Sequence, residues 1–392
     1  MRIQTNQAID EQEALRYRAE FPIFERTTYL NSCSLGPLSK SARTALQQYA
    51  ADWSEFGAPA WWLAWIPKLN AAKERFARLI GAQPHEVTIS HSISSALSSV
   101  ASTIDHSDRP VVVSADIDFP TIPYQWLSKA PRGVEVRYAQ SAGPQVPVCS
   151  YESVIRPDVA LVATSHVFYA TGAIQPVREI ADLAHASGAR IVVDGYHAVG
   201  AIPVDVKALD VDFYVGGVLK WLMGGPGLTF IYVREELIEQ VLPTISGWFA
   251  SAEQFAFNPL DLSFPPTADR LQLGTPAVGA AYTGVAGMDM VLEAEPERIW
   301  RRLQELTGIV IERAQAAGYR VNSPLDPDQR GGVVMLAVRE PEDTVQALAE
   351  RGFTVDYRPG HVRVSPHFFN TRDDVERFMD ALDAIQQSLL AV

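Results

Sequence analysis

Short apolar runs rich in Val and Ile recur along the chain from residue 86 onward, and longer segments with apolar residues at three- and four-residue spacing separate them. Such runs are typical of parallel strands that are buried on both faces, and the intervening segments are typical of crossover helices. The alternation predicts an α/β fold with a large, mostly parallel sheet of seven strands. We expect these strands at residues 87–90, 110–114, 134–138, 159–165, 190–194, 212–216 and 228–233.

Helical periodicity also predicts how the chain divides into domains. Crossover helices are expected at residues 94–104 and 177–187, and another helix at residues 39–56. After about residue 274 the pattern changes to a long helix from Val278, four strands and a closing helix at residues 371–390. The four strands are expected at residues 319–322, 332–338, 353–357 and 362–365. We therefore predict a large domain of residues 30–275 and a smaller α+β domain of residues 1–29 and 276–392.

Composition and charge narrow the class of protein. Hydrophobic residues make up 47% of the chain and charged residues 20%, which is ordinary for a globular protein. A net charge of −13 without a basic cluster argues against nucleic acid as a partner. The first 20 residues are polar, and no run of about 18 apolar residues occurs, so we expect a cytoplasmic protein without membrane contact. Neither Cys33 nor Cys149 has metal-ligand or disulfide spacing around it, and no metal site is predicted.

An aspartate and a lysine occur where an α/β sheet places its ligands. Asp194 ends the strand predicted at residues 190–194, and ligands bind at the carboxyl ends of parallel strands. Lys220 follows the next predicted strand and precedes the glycine-rich residues 224–227. Pyridoxal 5′-phosphate (PLP) chemistry requires a lysine that forms an imine and a carboxylate that keeps the pyridine nitrogen protonated. Taken alone, an aspartate or lysine at such a position is more ordinarily a helix cap or a solvated loop charge.

A phosphate site is predicted at the strand-to-helix junction of residues 90–95. Free N–H groups and hydroxyls at a helix amino terminus bind phosphate well. The candidates are Ser92, the backbone of Ile93, and Ser94. Serines at this position are also ordinary N-caps, and the two roles are compatible.

Eight short motifs occur in order between Tyr29 and Thr371. Together they resemble the class V aminotransferase group of fold-type I PLP-dependent enzymes, and within it most of all kynureninase. Cysteine desulfurases and isopenicillin N epimerase belong to the same superfamily. The motifs are YLNSCSLGPL (29–38), FPT (119–121), SHV with TG (165–167, 171–172), DGYH (194–197), GGPG (224–227), GWF (247–249), GTP (274–276) and VRVS (362–365).

The resemblance implies the roles of individual residues. Lys220 carries the cofactor as a Schiff base, Asp194 pairs with the pyridinium, and His197 lies near the phenolic oxygen. Phe119 stacks on the ring, although an ordinary core aromatic is the alternative, as a core histidine is for His197. Arg363 anchors the substrate's α-carboxylate, to which a guanidinium binds bidentately, with a surface ion pair as the alternative.

The resemblance also implies how the chains assemble. Trp248 and Thr275 reach the phosphate, and Thr275 does so from a neighbouring subunit. The expected assembly is a homodimer with active sites at its interface. The expected substrate is a small amino acid rather than a macromolecule.

Three positions depart from the kynureninase pattern. Leu219 replaces a tyrosine that takes part in the chemistry, Phe168 replaces an asparagine, and Ile122 replaces an aspartate. These replacements argue against hydrolysis of kynurenine itself. Residues 353–361 contain no cysteine, and Leu219 stands where cysteine desulfurases have a histidine, so persulfide formation is also disfavoured.

Several reactions of this cofactor stay open, because fold and cofactor do not determine the reaction. We favour lyase-type chemistry, by β-elimination or Cβ cleavage of a substituted amino acid. Transamination and decarboxylating deamination are the alternatives. A non-catalytic PLP-binding module of a transcription regulator is a distant alternative, since no helix-turn-helix segment precedes Tyr29.

Overall fold

The computed structural model describes residues 7–390. Residues 1–6 and 391–392, which we assign to the smaller domain, lie outside the described residues. The strands are β1 Thr28–Tyr29, β2 Val87–Ser90, β3 Val111–Ala115, β4 Glu135–Ala139, β5 Val159–Ser165, β6 Arg190–Asp194, β7 Phe213–Gly217, β8 Thr229–Val233, β9 Val334–Ala337, β10 Phe353–Thr354, β11 Asp356–Arg358 and β12 His361–Val364. The helices are α1 Glu11–Arg18, α2 Lys40–Phe56, α3 Ile66–Leu79, α4 Ile93–Ala101, α5 Thr121–Leu127, α6 Val148–Val154, α7 Val177–Ala186, α8 Val206–Leu209, α9 Val278–Ala294, α10 Pro296–Ala316, α11 Pro341–Glu350 and α12 Arg372–Leu390.

The large sheet has seven strands in the order β2-β8-β7-β6-β5-β3-β4. Neighbouring strands from β7 to β4 pair in parallel, and β8 runs antiparallel to both β7 and β2. Every residue of β3, β5, β7 and β8 is buried, as apolar runs covered on both faces require. The predicted α/β fold with a mostly parallel seven-stranded sheet is confirmed.

The smaller sheet has three strands in the order β11-β12-β9, and β1 pairs in parallel with β10. Residues 319–322 do not form the predicted strand, because only Val321 bridges to Leu336. The Ser323 hydroxyl accepts the N–H of Met335 at 3.0 Å, so a side chain takes the place of a ladder hydrogen bond. The strand predicted at residues 353–357 divides into β10 and β11, which belong to different sheets.

The long helix predicted from Val278 is also divided. It ends at Ala294, Glu295 has a left-handed φ of 66°, and α10 begins at Pro296. Proline cannot continue a helix but suits its first position, so Pro296 both ends α9 and begins α10. None of the helices in the described part of the chain is both long and apolar enough to cross a bilayer.

The segment after β1 lies directly against the backbone of the lysine loop that follows β7. The N–H of Gly36 donates to the carbonyl oxygen of Leu219 at 2.8 Å. A Cβ at residue 36 would lie 2.2 Å from the Lys220 carbonyl oxygen and 2.7 Å from Met223 Cα. Both atoms belong to the backbone, which cannot yield as a flexible side chain can. Glycine at residue 36 therefore allows the amino-terminal segment to support Lys220.

We expect Gly36→Ala to lower the free energy of unfolding by about 1–3 kcal/mol, because the added methyl group displaces packed backbone. Urea denaturation measures this change. The matched control is Gly308→Ala within α10, where nothing lies within 4 Å of an added Cβ. That control should raise the free energy of unfolding by about 0.5–1 kcal/mol, because alanine has a higher helix propensity than glycine. Equal stability of the two variants would show that the contact at Gly36 does not constrain the fold.

Candidate active site

A cavity of about 370 Å³ lies where β5 and β6 end and α4 begins. Carboxyl ends of parallel strands meet at one edge of a sheet, which is where α/β proteins bind ligands. Seven of the ten predicted site residues line this cavity: Ser92, Ile93, Ser94, Phe119, Asp194, His197 and Lys220. The structure therefore brings most of the predicted site together.

The amine of Lys220 lies 2.7 Å from Nε2 of His197. Burial, together with the charge of Lys220, holds the pKa of the His197 imidazole well below its usual range. His197 is therefore neutral near pH 7, and Nε2 accepts a hydrogen bond from the amine. Burial, aided by the charges of Arg363 and Arg358, lowers the pKa of Lys220 to about 8. A larger fraction of Lys220 is thus the nucleophilic free amine than in an ordinary lysine.

Asp194 is the buried carboxylate of the site. It ends β6, is 7% exposed, and accepts the N–H of Tyr196 at 2.8 Å. Burial raises its pKa to about 6, the charge of Asp118 adds to the rise, and the Tyr196 N–H and the Lys220 charge oppose it. Asp194 is therefore an anion at neutral pH. Because burial disfavours its charge, a positively charged group placed beside it would stabilise the carboxylate.

Asp118 is a structural residue of the site that the sequence analysis missed. Its buried carboxylate accepts hydrogen bonds from Ser114, Ala115, Thr164 and Ser165 at 2.8–3.0 Å. These partners lie on β3 and β5, so Asp118 joins the ends of two neighbouring strands. The available sequence signal was its position directly before Phe119 of the FPT motif.

The amino terminus of α4 forms one end of the cavity. The Ser92 hydroxyl accepts the N–H of Ser95 at 3.1 Å, as an N-cap does. The Ser94 hydroxyl lies 2.6 Å from that of Thr121, which also lines the cavity. Because a helix leaves its first N–H groups without partners inside the helix, those of Ile93 and Ser94 suit an anionic group.

Aromatic and aliphatic side chains form the walls. Phe119 is 44% exposed and meets the Tyr169 ring edge-on at 5.1 Å. The Lys220 amine lies 4.8 Å from the centroid of the Tyr196 ring, within range of a cation–π contact. Tyr169, Tyr196 and Leu219 line the cavity. Neither tyrosine was a predicted site residue, although Tyr196 lies within the DGYH motif and Tyr169 lies between the SHV and TG motifs.

Three predicted residues are not part of the cavity lining in the described chain. Trp248 is 43% exposed and donates its indole N–H to the Gln254 carbonyl at 2.6 Å. The Thr275 carbonyl accepts from His91, which lines the cavity, at 2.9 Å. Arg363 is buried and bound to other protein groups. The roles assigned to Trp248, Thr275 and Arg363 stay predictions.

The three departures from the kynureninase pattern have different surroundings. Phe168 and Ile122 are buried in the hydrophobic core. Leu219 lines the cavity next to Lys220. Only Leu219 therefore changes the chemical character of the cavity wall directly.

Comparison with known proteins assigns the chain to a family. The family model for aminotransferase class-V matches residues 64–378, and the chain belongs to this family. It is 32% identical over 371 residues to an uncharacterized aminotransferase, YcbU, of Bacillus subtilis, covering 94% of this chain and 97% of that protein. It is 28% identical over 402 residues to a kynureninase of Bacillus mycoides, covering 97% and 93%.

A solved structure shares the fold. A mutant of C-DES with glycine covalently linked to its PLP cofactor superposes with a TM-score of 0.86 at 19% identity, covering 93% of this chain and 98% of that one. Together with the family match, the likeness identifies a PLP-dependent enzyme of fold type I.

The residues of the cavity fit this cofactor. Asp194 is a buried anion for the pyridinium, and the helix terminus at Ile93 and Ser94 suits the phosphate. Nδ1 of His197 is buried without a hydrogen-bond partner among the described residues, so the imidazole retains a polar atom for a ligand. The free amine of Lys220 is the group that reacts with an aldehyde.

The lowered pKa of Lys220 makes a prediction about cofactor loading. The rate at which cofactor-free protein binds PLP covalently should rise about tenfold per pH unit and level off near pH 8, because the free amine reacts. An ordinary lysine would level off near 10.5. Stopped-flow absorbance of the bound cofactor measures the rate, and Lys220→Ala serves as the control without covalent binding. A rate that still climbs above pH 10 would contradict the lowered pKa.

Proposed function

We propose that this PLP-dependent enzyme acts on an α-amino acid through Lys220 and performs lyase-type chemistry, by β-elimination or Cβ cleavage of a substituted side chain. The observation that carries the proposal is the 2.7 Å contact between Lys220 and neutral His197 beside an apolar wall. This contact joins two groups that can exchange a proton. We place the enzyme in the cytoplasm, where unpaired cysteines such as Cys33 and Cys149 are usual.

Each residue has a separate task in this proposal. When bound, PLP supplies an electron sink for the pair of electrons left by a bond broken at the substrate. Asp194 would hold a proton on the cofactor's ring nitrogen, and Phe119 would pack against the ring. Lys220 takes the proton from the substrate's α-carbon, and His197 orients the Lys220 amine through Nε2.

Leu219 directs the choice of substrate in this proposal. It stands beside Lys220 in the cavity wall and neither donates nor accepts a proton. A polar departing group would lose its hydration there without a new partner, which costs free energy. The substrate therefore carries a side-chain group that is larger or less polar than that of kynurenine.

Transamination is the second candidate, favoured by the name of the uncharacterized aminotransferase at 32% identity. An aminotransferase needs a keto-acid acceptor to return its cofactor to the starting form. A lyase needs none. Decarboxylating deamination is a further alternative, but no contact among the described residues of the cavity favours it.

The experiment incubates PLP-loaded protein with a panel of amino acids, including kynurenine and S-substituted cysteines, without any keto acid. We expect product to accumulate over many turnovers with a substituted amino acid, measured by mass spectrometry. Lys220→Ala should reduce the rate at least about 100-fold, because the proton-transferring amine is lost. A reaction that stops after one equivalent and leaves the cofactor in its amine form would establish transamination and contradict the lyase proposal.

We also propose that the enzyme is a homodimer with active sites at its interface. Trp62, Trp248, Phe255 and Phe257 form an exposed aromatic cluster, with Trp62 and Phe255 centroids 4.5 Å apart. Exposed clusters of large apolar side chains are usual where a partner binds. We also expect Thr275 of one copy to contribute to the phosphate site of the other.

Phe257→Asp should weaken the dimer. Phe257 is 71% exposed and has a φ of 50°, a conformation that aspartate tolerates better, so the monomer fold is retained. Sedimentation equilibrium should give a mass near twice 43.1 kDa for the wild type and a raised dissociation constant for the variant. Leu325→Asp, at an exposed residue outside the cluster, is the control and should leave the mass unchanged. A monomeric wild type would refute the dimer.

A further inference from the structure

The guanidinium of Arg363, predicted to anchor the substrate, is already bound by a carboxylate of the protein. Nε and Nη2 of Arg363 donate to the two oxygens of Asp356 at 2.8 and 2.5 Å. Nη1 donates to the carbonyl oxygen of Tyr169 at 3.3 Å. This is the bidentate geometry that an amino-acid carboxylate would adopt.

The register of the small sheet produces this pair. Strands β11 and β12 run antiparallel with Asp356 opposite Arg363, so the two side chains are cross-strand neighbours. Arg358 lies two residues beyond Asp356 and therefore on the same face of β11. Its Nη1 is 3.4 Å from the nearer Asp356 oxygen. The carboxylate thus has two guanidinium partners.

The cluster of Arg358, Asp356 and Arg363 is short of one negative charge. Two guanidinium groups share a single carboxylate in this cluster. Arg363 contacts Tyr169, which lines the cavity, and the charges of both arginines act on Lys220 and His197. A second carboxylate entering from the cavity would complete the pairing.

We propose that Asp356 is an internal competitor for the substrate's carboxylate: it pairs with Arg363, and an incoming carboxylate displaces it onto Arg358. Displacement leaves no buried charge unpaired, because Arg358 receives Asp356 as Arg363 receives the ligand. Asp356 therefore sets the affinity of the site for carboxylates and excludes ligands that bind Arg363 weakly. This inference rests on the proposed action on amino acids.

The test measures binding of propionate, a carboxylate without an amino group, to the PLP-loaded enzyme by isothermal titration calorimetry. Asp356→Asn keeps the side-chain shape but removes the competing charge, so propionate should bind about tenfold more tightly. Propionamide, which is uncharged, should show no such gain. Asp356→Ser should change propionate binding in the same direction, and thermal unfolding with cofactor absorbance reports whether each variant is folded and loaded.

Two further variants test the exchange of partners. Arg358→Gln should weaken propionate binding several-fold, and the loss should shrink below about twofold when combined with Asp356→Asn, because no displaced carboxylate then needs Arg358. Arg363→Lys should weaken binding about tenfold, since the bidentate pair is lost. In turnover of an amino acid from the panel, Asp356→Asn should lower KM, because the competitor for the substrate's carboxylate is lost.

Equal or weaker propionate binding by the folded, loaded Asp356→Asn variant overturns the proposal, as does an unchanged affinity in Arg363→Lys. Absence of propionate binding in both the wild type and Asp356→Asn also overturns it. Failure of the proposed function has a different signature. In that case no amino acid of the panel is turned over or changes the cofactor absorbance, whatever propionate does.

Discussion

The site depends on three titratable groups, Lys220, His197 and Asp194, which lie together in one cavity at the edge of an apolar sheet. Burial acts on all three in the direction of the neutral form, as a low-dielectric environment requires. It brings the pKa of the amine down towards neutral pH and that of the carboxyl up. The same burial that stabilises the sheet therefore creates a reactive lysine and a carboxylate that binds a cation.

Such groups keep their geometry only when the surrounding backbone cannot relax. Asp118 joins the ends of β3 and β5 through four hydrogen bonds. On the other side, Gly36 lies against the backbone of Leu219 and Lys220, where no Cβ has room. The lysine loop is thus fixed between the sheet and the amino-terminal segment, and a ligand meets a site whose polar groups are already positioned.

Two parts of the site bear on selectivity in our proposals. Leu219 makes the wall beside the lysine apolar, and this feature bears on which side-chain group the substrate carries. The cluster of Arg358, Asp356 and Arg363 bears on which molecules bind, because a carboxylate must compete with one that belongs to the protein. Selection of the side-chain group and affinity for the carboxylate would then be controlled by separate residues, one in the predicted large domain and the others in the predicted smaller domain.

The sequence by itself determined the seven strands of the large sheet to within one residue at each end, because strands buried on both faces, such as β3, β5, β7 and β8, are largely apolar runs. The edge strand β4 is only partly buried and is the exception. It also determined that Asp194 and the serines of α4 lie at strand ends, where ligands bind. It did not determine the division of α9 from α10, the pairing of Asp356 with Arg363, or the exposed cluster around Trp62 and Phe257. Cross-strand register and contacts between distant segments leave no periodic pattern in the chain. Only the tertiary structure decided them, because they depend on which surfaces remain free once the sheet is packed.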